Sequence, residues 1–419
     1  FSVGEKASLG LNYNGVTGYR SDDEVSNFRI RPERRNEYEG GADLSLFNGR
    51  MGISTTFYNA ISTDIIYDID VIPSTGADEM TANGASIRNN GLELTFDYRV
   101  MDRKKIKWET KFIYASNRNT VLEMNGVDAD MARTMDPNLV PSQGIAKFSE
   151  VSPGHEYAEF KVLSWARFGH GLAVDHDLDI NTPDVAIDTL DYDWRKNDVY
   201  IGKNGLPIMY SEKIWSGYAP NPDWTGSFFN EIKLGRKIKL SCLLDISMGG
   251  HIANYTKNSL YEWGTHADTD RRYHPDFDNP DWFGYEEGVS TEWGKGTFQE
   301  LINHGHRALG PGQDTVIAFS QNLYENYMGR NTDVINNIED ASYMKLREVA
   351  LSYNFGPVKI GYLGNPNLTL RLSAQDLKTW TSYSGWDPET NMYQDRISGE
   401  DYFNQPQTWR ANLAIQLNW

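Results

Sequence analysis

Five aromatic residues fall among carboxylates in one stretch of this sequence: Trp263, Tyr273, Trp282, Tyr285 and Trp293 stand near Asp276, Asp278, Asp281, Glu286 and Glu287. Sugar rings stack on aromatic faces while carboxylates accept hydrogen bonds from hydroxyls. The set reads as a candidate substrate-contacting surface, and Trp386 joins it as a sixth member. The competing reading is that these aromatics pack long loops into a rigid cap. For Trp386 a structural role is a strong alternative, because the Asp387-Pro388 pair beside it favours a fixed turn.

Other chemistry is excluded or weakly supported. Asp175-His176-Asp177-Leu178-Asp179 alternates carboxylates as a calcium loop does, but an EF-hand would need Gly at Ile180 and Glu at Ala186. His304 and His306 lie close in sequence without a third ligand nearby. No metal site is therefore assigned and no cofactor is expected, with an unassigned structural divalent cation left open. The single cysteine, Cys242, rules out an internal disulfide and the multi-cysteine zinc patterns. No nucleophile motif is present, and the Glu286-Glu287 pair proves nothing in so acidic a chain, so the expectation is a protein that is not an enzyme. A net charge of −18 argues against nucleic acid as a partner.

The elements that must position these residues show a period of two. Trp409, Ala411, Leu413, Ile415, Leu417 and Trp419 alternate with Arg410, Asn412, Ala414, Gln416 and Asn418. Leu92, Leu94, Phe96 and Tyr98 alternate with Glu93, Asp97 and Arg99, and Leu370, Leu372 and Ala374 with Arg371, Ser373 and Gln375. Ile238, Leu240, Cys242, Leu244 and Ile246 form a further apolar set, which puts the thiol on an apolar face. Mean hydropathy is only −0.59, and no run approaches the roughly 20 apolar residues of a membrane helix, but a membrane strand shows lipid only its alternate residues. Tight connections at Asn48 to Arg50, Met101 to Lys104 and Leu234 to Arg236 alternate with long ones near 69–87, 120–222 and 251–339. Short turns at one end and long loops at the other are expected of an outer-membrane barrel. A soluble all-β sandwich also alternates; the strand lengths and the aromatics at strand ends favour the barrel, with about ten full strands. The basic residues at the tight turns, Arg50, Arg103, Lys104, Lys105, Arg236 and Lys237, are candidates for contact with lipid and lipopolysaccharide, and simple turn solubility explains them equally well.

Several segments resemble the SusC/RagA family of TonB-dependent transporters. Asp340-Ala341-Ser342-Tyr343-Met344-Lys345-Leu346-Arg347-Glu348-Val349 is similar to that family's penultimate-hairpin signature, and Leu370 to Leu377 follows as expected. Gly385-Trp386-Asp387-Pro388-Glu389 resembles its Gly-aromatic-Asp-Pro-Glu outer loop, Asn221 to Phe228 an earlier strand entry, and Asn89-Asn90-Gly91-Leu92-Glu93 a strand with an Asn-x-Gly-x-Glu opening. Residues 125–210 and 265–330 match nothing in the family.

The resemblance implies an all-β fold: residues 1–419 as the C-terminal portion of a transmembrane antiparallel barrel, about half of the roughly 22 strands of a plugged transporter. The plug and the first strands are absent from this sequence, so a missing barrel half is an implied partner. The family works in the Gram-negative outer membrane with a SusD-like lipoprotein and the TonB/ExbB/ExbD complex. It imports bulky nutrients, oligosaccharides above all and oligopeptides as the second class. Rival readings are a passive porin or adhesin, or a soluble glycan-binding or hydrolytic protein. On the family reading Glu93, Asp97, Arg99, Arg371 and Gln375 face the lumen, and Trp419 is the terminal aromatic signal for barrel assembly.

Overall fold

The structure, a computed structural model, describes residues 7–13, 16–21, 24–25, 27–70, 79–124, 143–144, 148–164, 199–201, 213–263, 265–266, 305–307, 334–359, 361, 364–392 and 399–418. Nine strands form one antiparallel meander: β1 (Arg34–Leu46), β2 (Met51–Asp70), β3 (Glu79–Arg103), β4 (Ile106–Met124), β5 (Trp224–Leu234), β6 (Ile238–Met248), β7 (Tyr343–Pro357), β8 (Asn367–Thr381) and β9 (Arg410–Asn418). Each pairs with its neighbours in sequence, and the two-residue strand Glu24–Val25 adds a parallel pairing to the start of β3.

Register converts the period of two into two chemically different surfaces, because residues directly opposite one another project to the same side. Trp108, Ile232, Leu240, Leu351, Leu372 and Leu413 form one continuous row across β4 to β9. The adjacent row, on the other face, is Glu231, Ser241, Ala350, Ser373 and Asn412. Leu413 and Ile415 are 68% and 66% exposed. Leaving such side chains in water forfeits about 1.5–3 kcal/mol each, so a face built from them requires an apolar surrounding. Cys242 pairs with Asn230 and Val349 on this apolar face.

Short connections gather at one end of the sheet and long ones at the other. Phe47, Asn48 and Gly49 take positive φ in the β1–β2 turn, and the Arg50 guanidinium donates to the carbonyls of Arg99 and Val100 at 2.8 and 2.7 Å. Lys104-Lys105 joins β3 to β4, and residues 235–237 join β5 to β6. At the opposite end, residues 125–223, 249–342 and 382–409 separate their strands. Two boundaries differ from the sequence reading. Residues 80–87 and 120–124 are strand rather than loop, because Ala85, Val121 and Met124 bury themselves against Val151, with Ile65, Tyr67, Ile87 and Tyr157 packed around them. That apolar cluster carries β2 to β4 well past the about 9–11 residues needed to cross a membrane.

Gly91 explains its own motif. A Cβ there would stand 2.2 Å from the Ser116 carbonyl oxygen and 2.5 Å from the Tyr58 hydroxyl. The Tyr58 ring occupies the space that a side chain would fill, and its hydroxyl donates to Asn117 at 2.9 Å. Gly91→Ala is expected to destabilise the folded barrel by about 1–3 kcal/mol, the usual cost of overpacking, and Tyr58→Phe by about 1 kcal/mol. Urea titration of the folded protein in detergent measures both.

Candidate functional site

The long connections do not hang free where they are described; they fold into a cap with its own core. His251–Asn254 pairs antiparallel with Ile338–Asp340 and parallel with Glu400–Asp401. Helix α1 (Tyr255–Glu262) follows at once, its first turn capped by Asn254, whose side chain accepts from the Lys257 N–H at 2.9 Å. Phe148, Phe160, Val162, Ala253, Tyr255, Ile335 and Ile338 bury themselves together. Gly399 allows this closure: its φ is +63°, and a Cβ would meet the Pro220 side chain at 2.4 Å.

Carboxylates inside the cap accept from backbone and hydroxyl donors. Glu400, fully buried, accepts from the Phe148 N–H at 2.7 Å. Asp401 accepts from the Tyr383 and Thr256 hydroxyls at 2.6 and 3.2 Å. Burial and the neighbouring Asp401 carboxylate push the Tyr383 phenol up, so it remains a donor at every physiological pH. Glu339 binds Lys257 at 3.1 Å and accepts from the Ser384 hydroxyl at 2.7 Å, which ties the 382–392 segment to α1.

Beneath the cap the two resembling motifs grip each other. A bulge in β7 between Leu346 and Glu348 lets Arg347 reach across the polar face. Arg347 bonds Asp245 at 2.7 Å, Asp376 at 3.4 Å and, more closely, Glu389. Lys345, only 1% exposed, lies 3.2 Å from Asp387 and in close contact with Glu389. The Tyr343 hydroxyl donates to Glu389 at 2.5 Å, and Gln407 adds a bond at 3.3 Å. Asp387 also accepts from the Glu389 N–H at 3.0 Å, which forms the tight turn that the Asp-Pro pair favours. The Gly-Trp-Asp-Pro-Glu loop is thus latched to the wall by its two acidic residues.

Between latch and helix lies a cavity of about 440 Å³ lined by Lys257, Leu260, Tyr261, His266, Ser384 and Trp386 among others. Trp386 is 78% exposed although its neighbours in the loop are fixed, so the turn is structural while the indole is free to contact a ligand. Trp263 caps the C-terminus of α1 and stacks on Phe403 at 5.4 Å, outside that lining. Tyr273, Trp282, Tyr285, Trp293, Asp175 to Asp179, His304 and Trp419 lie outside the described residues. Among the described residues no group of three or more His, Cys, Asp or Glu is arranged to hold a metal.

The remaining sequence candidates share the polar face. Glu93 stands opposite Thr56 and Ala115, and Asp97 opposite Gly52 and Lys111. Arg99 reaches the Gly49 carbonyl, while Arg371 and Gln375 both bond Glu348. Sequence reasoning missed the latch itself, although one signal was present: two basic residues in the β7 motif and two acidic residues in the loop motif invite pairing. It also missed α1, which is short and announced only by Asn254.

The latch carries a pH dependence. Burial works against ionisation of Glu389, but hydrogen bonds from Arg347, Lys345 and Tyr343 outweigh it and hold the carboxyl at about 2. A carboxyl depressed in the folded state contributes stability above its ordinary value of about 4.5 and loses it as pH falls toward about 2. Protection of residues 386–392 against amide hydrogen exchange, taken relative to an unstructured peptide at the same pH, is expected to hold down to about pH 4.5 and to fall below it. Glu389→Gln is expected to accelerate exchange already at neutral pH, and Lys345→Met, which strands buried carboxylates, to cost about 3–5 kcal/mol locally.

No family model matches the chain. It is similar to two curated receptors of Formosa agariphila: TonB-dependent receptor P39, 24% identical over 98% of this chain and 37% of the receptor, and TonB-dependent receptor P3, 22% identical over 94% and 35%. Among solved structures, the RagAB peptide transporter superposes with a TM-score of 0.62 at 15% identity, over 99% of this chain and 38% of that one. The RagAB peptide importer in its open-open state gives a TM-score of 0.60 at 14% identity, over 100% and 38%. The chain therefore spans little more than a third of the length of the proteins it matches. These relatives are named as receptors and transporters, and no helix among the described residues is long and apolar enough to cross a membrane. Its motifs, its relatives along nearly the whole chain and its sheet agree: the chain is similar to TonB-dependent receptors, and its fold is that of a portion of a transmembrane β-barrel.

Proposed function

We propose that this chain forms wall and outer loops of a Gram-negative outer-membrane barrel that imports bulky nutrients, oligosaccharides first. In this reading a SusD-like lipoprotein closes the loop end, and the TonB/ExbB/ExbD complex supplies energy through a plug. The observation that carries the proposal is the continuous sheet with an apolar row of Trp108, Ile232, Leu240, Leu351, Leu372 and Leu413 on one side and polar rows on the other. Lipid outside and a wet, plugged lumen inside account for both faces. Glu93, Asp97, Arg99, Arg371 and Gln375 then look into the lumen, toward plug and passing substrate.

The same reading requires more strands. Among the described residues β1 and β9 each have one neighbour, and unpaired strand edges in hydrocarbon cost several kcal/mol per orphaned group. Further barrel strands must close onto both edges. Oligopeptides are the second substrate class, favoured by the description of RagAB as a peptide importer. The exposed Trp386 indole beside Lys257, Ser384 and His266 offers a stacking face flanked by hydrogen-bonding groups, which suits a sugar ring.

Uptake of labelled oligosaccharides and oligopeptides by cells carrying the full receptor, with and without TonB, tests the proposal. Import that vanishes without TonB is the expected result; import that persists sinks it in favour of a passive porin. Trp386→Ala is expected to weaken substrate binding about tenfold, or ~1.4 kcal/mol, without lowering the amount of receptor in the outer membrane. Binding is measured by isothermal titration on the detergent-solubilised receptor.

A further inference from the structure

We propose that Arg88 and Arg118 form a binding site for the phosphate groups of outer-leaflet lipid, on the membrane-facing wall at the loop end of the barrel. The inference rests on the barrel reading above. Register fixes the placement: Arg88 in β3 stands opposite Ile61 and Thr120, and Arg118 in β4 stands opposite Asn90. Neither strand has a bulge between these residues and the apolar set Leu92, Leu94, Phe96, Phe112 and Tyr114, so both guanidinium groups project from the lipid side. They occupy diagonal positions on adjacent strands, roughly 7–8 Å apart at the backbone, within which two arginines can close on one phosphate.

Depth fits the same ligand. Arg118 lies roughly a dozen residues along β4 from the tight turn, just past the about 9–11 residues that cross the hydrocarbon. Below it the face carries Phe112, Tyr114 and Leu94; beside it stand Asn90, Asn59 and Tyr38, whose amides and phenol suit a headgroup zone.

Several other cations of the sheet are already engaged, whereas these two arginines are not held by an ion pair among the described residues. Lys233 and Lys239 both bind Glu231, Arg371 binds Glu348, and Arg31 and Arg34 share Asp64. Arg50 and Arg99, near the tight turns, are engaged by backbone carbonyls and stabilise the turn. Arg88 is exposed and makes no hydrogen bond or ion pair among the described residues. Arg118 is also exposed and feels the Glu156 carboxylate only through space. In a chain of net charge −18, an outward pair of exposed arginines at the membrane interface is complementary to an anionic headgroup.

The test uses the full receptor in detergent, wild type and the Arg88→Gln/Arg118→Gln double variant. Native mass spectrometry follows titration with lipid A, dephosphorylated lipid A or inorganic phosphate. The expected result is that lipid A binds the wild type at least tenfold more tightly than the double variant, and that dephosphorylation removes the difference. An Arg88→Lys/Arg118→Lys variant is expected to retain part of the binding. Equal lipid A binding by wild type and the double variant overturns the site. Displacement by inorganic phosphate at the same concentration as lipid A overturns the lipid assignment in favour of a free anion. Loss of a copurifying lipoprotein from the double variant, with lipid A binding unchanged, reassigns the pair to a protein interface. Both proteins are first localised: recovery in the outer-membrane fraction upholds the barrel reading whatever the lipid result, and absence of the wild type from that fraction overturns the barrel reading itself.

Discussion

A strand surrounded by hydrocarbon has to give every N–H and C=O to a neighbouring strand, because no water is available to take them. That constraint accounts for the uninterrupted antiparallel meander from β1 to β9, in which each connection returns the chain directly beside its last strand. It also accounts for where irregularity is allowed. The register shifts near Ser62 in β2 and Ser86 in β3 lie toward the long-loop end and those near Arg99 in β3 and Asn354 in β7 at the tight-turn end, where polar groups can find loops or water. The bulge at Arg347 lies deeper and faces the ion set of the polar side.

Once the backbone is satisfied, side chains are free to serve two environments. Leu240, Leu351, Leu372 and Leu413 supply apolar surface, while their strand neighbours supply charge to the other side. On the polar side ions come in sets, such as Arg347 with Asp245, Asp376 and Glu389. A buried ion such as Lys345 adds little net stability when paired, but it makes wrong positions of the loop costly, since any of them would leave a charge unmatched. The latch therefore specifies where the Gly-Trp-Asp-Pro-Glu loop sits, and with it where the Trp386 indole meets the cavity.

The cap follows a different logic from the wall. Its core of Phe148, Phe160, Val162, Tyr255 and Ile335 is that of a small globular domain, built from segments far apart in sequence and held by two short pairings to His251–Asn254. Buried carboxylates at Glu400 and Asp401 are tolerated there because each carboxylate meets a backbone or hydroxyl donor. Wall and cap meet in the 382–392 loop, which Lys345 and Arg347 hold to the wall and the Glu339–Ser384 bond holds to the cap.

Much of the wall was legible in the sequence because a strand's face is a local property: alternation at Leu92 to Arg99 or Leu370 to Gln375 needs no knowledge of partners. The Asn-x-Gly-x-Glu opening likewise marked Gly91, although only the structure supplied its reason, the Tyr58 ring lying over it. Strand ends were less legible, since residues 80–87 and 120–124 are held in the sheet by Val151 and Tyr157 from a distant segment. The latch and the cap were not legible, because pairing Lys345 with Asp387, or Phe148 with Tyr255, depends on which loops return to which part of the wall. By itself, the sequence determined the two-faced sheet and its order of short and long connections, through periodicity and turn chemistry. Only the tertiary structure decided which charges meet and which aromatics remain exposed, because contacts between segments a hundred residues apart are set by packing, not by local spacing.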